Sequence, residues 1–140
     1  MEPGQALPPG LVPPGTTELG IDIIRVDRIR QTLAKFGARF SNRVLTPAEQ
    51  RYVRDRPETM AGRWAAKEAV IKAWSGSRFA QRPVLPEGIH RDIEVVTDMW
   101  GRPKVRLTGA IAEHLADVII HVSLTHEGDT AAAVAILETP

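Results

Sequence analysis

Apolar positions recur along this chain in two rhythms, one of alternate residues and one of three-to-four, and together they divide it into strands and helices. Leu19-Gly-Ile-Asp-Ile-Ile24 is a short apolar run with one acid in its middle, which predicts a strand. Val26, Ile29, Leu33 and Phe36 follow at helical spacing, with Gly37 placed to cap the C-terminus. Thr46-Pro47-Ala48-Glu49 is a capping box with proline at the first helical position, so a short helix starts there. A longer helix is predicted over residues 59–74. Residues 92–97 and 104–107 alternate as strands and are joined through Asp98-Met-Trp-Gly-Arg-Pro103, which reads as a hairpin. Residues 110–116 read as helix, and residues 118–125 and 130–137 as two strands around His126-Glu-Gly-Asp129. The order β-α-α-α-β-β-α-β-β contains no repeat. It predicts an α+β fold with helices packed on a small antiparallel sheet, in one domain over residues 18–138. Residues 1–17 hold five Pro and three Gly without periodicity and are expected to form a disordered tail.

A length of 140 residues with 43% apolar and 25% charged residues fits one water-soluble domain that folds without staples. The absence of Cys excludes disulfides, thiolate metal sites and a Cys nucleophile. The longest uninterrupted apolar run, residues 131–137, is far short of the ~20 residues of a membrane helix. No basic segment followed by an apolar one opens the chain, so a cytoplasmic protein is expected. The net charge of +1 hides an asymmetry. Residues 25–56 hold nine Lys or Arg against Asp27, Glu49 and Asp55, whereas residues 109–140 hold five acids and no Lys or Arg. A basic first half points to an acidic or phosphate-bearing partner; the acidic end argues against a general nucleic-acid coat.

The helix over 59–74 concentrates the chemistry. Ala61, Trp64, Ala65 and Ala69 share one face, and Glu68 and Lys72 fall among them. The rest of the helix is also apolar, apart from Arg63 and Lys67 on the opposite side. A helix apolar nearly all round is buried, and an unpaired buried carboxylate costs several kcal/mol, so Glu68 must meet a partner. One candidate is Lys72, four residues on, in a pair that at a surface gives only a few tenths of a kcal/mol. The other is a hard cation, with Asp22 as the second carboxylate and Lys72 facing the same phosphate oxygens. Two carboxylates with no Cys and no His pair at ligand spacing suit Mg²⁺. His126, at the end of an apolar strand, reads first as a turn residue, and His90, His114 and His121 as structural. Ser123 and His126 lack the Gly-x-Ser-x-Gly elbow of a hydrolase, and no phosphate- or dinucleotide-binding glycine loop occurs.

Gly20-Ile-Asp22-Ile, Arg63-Trp-Ala-Ala-Lys-Glu68-Ala-Val-Ile-Lys72-Ala and Val122-Ser-Leu-Thr-His126 resemble, in this order, the three signatures of the holo-[acyl-carrier-protein] synthases. These are the small trimeric class of 4′-phosphopantetheinyl transferases. Asp92-Ile-Glu-Val and Gly101-Arg-Pro-Lys resemble that family's hairpin, and the sequence from Trp64 onward is similar to actinobacterial, particularly mycobacterial, members. Glu18 stands where the family usually has glycine. The resemblance implies transfer of the phosphopantetheine arm of coenzyme A to a serine of apo acyl carrier protein, with release of 3′,5′-ADP. It implies that Asp22 and Glu68 hold Mg²⁺, that Lys72 faces the pyrophosphate, and that Arg63, Lys67 and His126 are candidates for the nucleotide phosphates. It also implies carrier contact on the first helix, where Arg28 lies, and a homotrimer whose neighbouring subunits share each site. Either a metal-bound water or Glu68 would serve as base. The alternative reading is a basic, non-catalytic nucleic-acid-binding module, supported by the charge of residues 25–56 and opposed by the lack of an aromatic-interleaved basic strand.

Overall fold

The structure is a computed structural model that describes residues 11–140. Its elements are β1 (Thr17–Arg25), α1 (Val26–Phe36), α2 (Ala38–Val44), α3 (Pro47–Val53), α4 (Pro57–Gly76), α5 (Ile89–Asp92), β2 (Ile93–Thr97), β3 (Pro103–Leu107), α6 (Gly109–His114), β4 (Ile119–Glu127) and β5 (Thr130–Glu138). The strands form an antiparallel sheet in the order β1-β5-β4 and a separate β2-β3 hairpin. This is the expected α+β arrangement. Two short helices, α2 and α5, join the elements predicted from periodicity.

The small residues of α4 set the central contact. Ala61, Ala65, Ala69 and Ala73 are all fully buried, and β1 lies directly against them. A Cβ on Gly20 would collide with the Ala69 carbonyl and stand 2.7 Å from the Ala73 nitrogen. The strand backbone therefore approaches the helix as closely as it does only because position 20 has no side chain. Gly20, Asp22 and Ile24 alternate onto that face, so the same approach brings Asp22 to α4. Glu18, one pleat earlier, has its carboxylate across from Gly76, where a Cβ would come within 3.3 Å of it.

β5 lies between β1 and β4, with Ala131, Ala133, Ala135 and Leu137 buried towards α4. The opposite face is apolar and open: Leu19, Ile21 and Ile23 are 58%, 65% and 71% exposed, and Ile136 and Ile119 lie exposed beside them. The β4–β5 turn starts α1. Asp129 accepts from the Asp27 amide at 3.1 Å and pairs with Arg25 and Arg30, while its carbonyl takes the Val26 amide at 2.8 Å. Gly37, at φ +55°, closes α1 by donating to the Leu33 carbonyl at 2.8 Å. The capping box at α3 forms in both directions, Glu49 N to Thr46 Oγ1 at 3.2 Å and Thr46 N to Glu49 Oε1 at 3.1 Å.

The proline-rich start departs from expectation where it is described. Val12 packs on the core, Thr16 exchanges hydrogen bonds with Thr139, and Thr17 pairs with Glu138 in the sheet. Residues 12–17 thus belong to the domain, because the β1–β5 ladder continues past the apolar run. Residues 1–10 of the expected tail lie outside the described residues.

Candidate active site

Two of the expected residues, Asp22 and Lys72, meet where β1 crosses α4, and Glu68 lies one turn earlier on the same helix. Lys72 Nζ donates to Asp22 Oδ1 at 2.8 Å. Glu68, one turn earlier on α4, lies within the field of the same ammonium, which helps hold its carboxyl below the usual range. The larger cause is a 2.8 Å hydrogen bond between Glu68 Oε1 and His90 Nε2, which outweighs the opposing effect of burial. An ionised carboxylate only accepts, so Nε2–H is the donor. The Glu68–Lys72 pair weighed from the helical spacing is replaced by two longer-range contacts, because β1 and α5 each bring a better-placed partner to α4.

His90, read from the sequence as structural, is the side chain that meets Glu68. Its ring stacks on Trp64 at 4.6 Å and 6°, and Trp64 in turn meets Phe40 edge-on at 5.8 Å. Its carbonyl accepts from Lys67. A histidine between two predicted elements carries no local signal that it will reach a helix 22 residues upstream.

Lys67 and Arg63 lie elsewhere. The Lys67 side chain is fully buried, and its ammonium donates to Glu49 Oε1, the His90 carbonyl and the Ile93 carbonyl at 2.8, 2.7 and 2.6 Å. An ammonium has three donors, so none is left for a phosphate. Burial pulls its pKa down, against the attraction of Glu49. The phosphate role expected for Lys67 is thus corrected to a structural one. Arg63 is buried with its guanidinium over the Tyr52 ring at 4.2 Å, on the side of α4 away from Glu68. Its Nε has no hydrogen-bond partner among the described residues. It does not reach the Asp22–Lys72–Glu68 cluster of its own chain.

His126 is exposed at the end of β4. By register it shares the sheet face of Asp22, since His126 pairs with Ala131, Ala131 with Ile24, and Ile24 lies two residues after Asp22. It stands two strands across and two residues along from Asp22, about 12 Å at ordinary strand spacing and rise. Ser123, three residues earlier, points to the opposite face, so no Ser–His pair forms.

Beside His90 and Trp64 opens a cleft of about 540 Å³ between α1, α2, α4 and α5. Arg28, Arg39 and Arg43 line it together with Phe40, Trp64 and His90. Arg28 was expected from α1; Arg39 and Arg43 come from the unpredicted α2. Three arginines thus concentrate positive charge around an aromatic-walled cleft.

Among the described residues no three His, Cys, Asp or Glu side chains converge. A cation at the cluster would take Asp22 and Glu68 from the protein and its other ligands from phosphate and water, which is how Mg²⁺ is usually held. The donor set, two hard carboxylates with a lysine between them, fits that ion and a phosphorylated substrate.

Residues 18–135 match the family described as the 4′-phosphopantetheinyl transferase superfamily, and the chain belongs to that family. It is similar to the holo-[acyl-carrier-protein] synthases of Mycobacterium bovis and Mycobacterium tuberculosis, 65% identical over 130 residues, covering 90% of this chain and 99% of each relative. Among solved structures it resembles the Mycobacterium tuberculosis acyl carrier protein synthase, with 62% identity, a TM-score of 0.75 and coverage of 88% of this chain and 97% of that one. It also resembles the Chronobacterium ammoniagenes ACPS–CoA complex, with 35% identity, a TM-score of 0.80 and coverage of 89% and 98%. The nucleic-acid-binding alternative is left without support. No helix among the described residues is long and apolar enough to cross a membrane.

Proposed function

We propose that the chain transfers the 4′-phosphopantetheine moiety of coenzyme A to a serine of an apo acyl carrier protein and releases 3′,5′-ADP. The observation that carries this reading is the Lys72–Asp22 contact at the β1–α4 crossing, with Glu68 one turn away and bonded to His90, which lines an arginine-rich cleft. Asp22 and Glu68 would hold Mg²⁺. When bound, that ion would supply Lewis-acid stabilisation of the charge that builds up on the leaving phosphate. Lys72, half exposed on its outer side, is placed to add a second positive charge to the same oxygens. The serine hydroxyl gives up its proton to a solvent water, and its oxygen forms a bond to the phosphorus that bears the pantetheine arm. The bond from that phosphorus to the bridging oxygen breaks, and the nucleotide leaves as 3′,5′-ADP. The depressed pKa of Glu68 suits a cation ligand better than a base, since a general base works best with a pKa near the operating pH. Arg28, with Arg39 and Arg43, would receive the acidic carrier so that its serine enters beside Glu68.

The same reading includes a homotrimer whose sites lie between subunits. The open apolar face of β1 and β5 supports it, because a monomer gains nothing by leaving Leu19, Ile21 and Ile23 in water. Pairing with a second copy would cover that face. Acting on coenzyme A and a carrier protein, the chain would work in the cytoplasm.

Intact-mass spectrometry of an apo carrier protein incubated with the chain, coenzyme A and Mg²⁺ tests the reading. A gain of one phosphopantetheinyl group per carrier, matched by 3′,5′-ADP and abolished by EDTA, is expected. An unchanged carrier mass would overturn it.

A further inference from the structure

We propose that His90 is the positioning residue of Glu68, fixing in advance the carboxylate through which Glu68 would hold a divalent cation. The inference rests on the reading of Glu68 given above. Glu68 has a flexible side chain; on α4 it emerges beside Ala65 and Ala69, while Lys72, one turn on, is bonded to Asp22 instead. His90 supplies the missing restraint, because Nε2 engages Oε1 at 2.8 Å. Among the described residues no hydrogen bond reaches Oε2, which stays available to a ligand. A donor on one carboxylate oxygen and a cation on the other is the usual outer support of a metal-binding carboxylate.

His90 is held from three sides. Trp64 lies parallel to its ring at 4.6 Å. The buried Lys67 ammonium grips its carbonyl at 2.7 Å and that of Ile93 at 2.6 Å, pinning both ends of α5. Ile89, next to it, is buried in the core. Lys67 and Glu68 are adjacent on α4, so the helix that carries the carboxylate also anchors the segment that orients it. This gives the buried ammonium a purpose that a phosphate contact would not. A group restrained before binding loses less freedom on binding, and the gain appears as affinity for the ion.

Mn²⁺ binding to the full-length chain, read by electron paramagnetic resonance with 3′,5′-ADP present, tests the inference apart from turnover. Two variants divide the histidine's properties: His90→Phe keeps a flat ring for Trp64 and removes the donor, and His90→Gln keeps a donor and removes the ring. His90→Phe is expected to melt close to the wild type and to bind Mn²⁺ ~10–100-fold more weakly, the usual loss when such a support is removed. Its turnover should recover as Mg²⁺ is raised. His90→Gln should regain most of the Mn²⁺ affinity even if it melts lower. Wild-type Mn²⁺ affinity in His90→Phe, alongside lost affinity in a Glu68→Gln control, would overturn the positioning role and leave the reading of Glu68 intact. Affinity that follows melting temperature in both His90 variants would reduce the contact to a structural one and overturn it too. Undiminished Mn²⁺ binding by Glu68→Gln would overturn the cation reading and the inference with it.

Discussion

Lys72 Nζ lies 2.8 Å from Asp22 Oδ1, although Glu68 is the acid one turn away on its own helix. The contact joins residues 50 apart in sequence and closes the crossing of β1 over α4. With the lysine half exposed, such a pair contributes at most about 1 kcal/mol to stability. Asp22→Asn should therefore barely shift the urea unfolding midpoint. Transfer should fall roughly 100-fold or more, the size of loss when one charge-stabilising group is removed from an active site. Parallel unfolding and initial-rate measurements check both halves. A large stability loss with retained activity would make the pair a structural clasp.

Arg28 concerns the carrier. Arg28→Glu should raise the KM for carrier protein ~tenfold, equivalent to about 1.4 kcal/mol, and leave the KM for coenzyme A almost unchanged. Because edge charges act mainly on association rate, the difference should shrink at high salt. Steady-state kinetics with each substrate varied at two salt concentrations check this. An equal loss towards both substrates would place Arg28 outside the docking surface.

Lys67→Met distinguishes the buried role from the phosphate role first expected of this residue. Leaving Glu49 charged and unpaired should cost about 3–5 kcal/mol in chemical denaturation. The double variant with Glu49→Gln should recover part of that loss, since no bare charge remains. A stable Lys67→Met protein with weakened coenzyme A binding would restore the original assignment.

Glu94 sets an acid limit on stability. The Thr46 hydroxyl donates to it and Arg106 pairs with it at 2.6 Å, and both hold its carboxyl below the usual range, against the effect of burial. A carboxyl depressed on folding contributes its stability above the unfolded pKa, about 4.3, and loses it as pH falls through the folded value. The stability gap between wild type and Glu94→Gln should be constant above about pH 5 and shrink steadily below about pH 4. Thermal melts from pH 7 to pH 3 check it; a gap that widens on acidification would contradict the cause assigned here.

These results separate what local pattern encodes from what tertiary contact decides. The capping box at Thr46 and the C-cap at Gly37 were legible because their chemistry is complete within four residues. The alanine face of α4 was legible as a close contact, and Glu68, Lys72 and Asp22 stood out because each is a charge among apolar neighbours. The same logic applies to Lys67: a helix buried on every side leaves no face for solvent, so a lysine there needs internal acceptors. α2 and α5 were invisible to periodicity, since they span seven and four residues and bury one side chain each, Val44 and Ile89. His90, Arg39 and Arg43 enter the site only through those two helices, which is why they were found in the structure and not in the sequence.

Glu68→Gln, assayed by single-turnover transfer from coenzyme A to apo carrier protein across a Mg²⁺ titration, tests the role of the paired acids most directly. Gln keeps the shape of the side chain and can still meet His90, but it lacks the charge that a hard cation requires. Transfer should be abolished at every Mg²⁺ concentration, with the melting temperature close to that of the wild type. Near-wild-type transfer at saturating Mg²⁺ would contradict the assignment of Glu68, and with it the site built around Asp22 and Lys72.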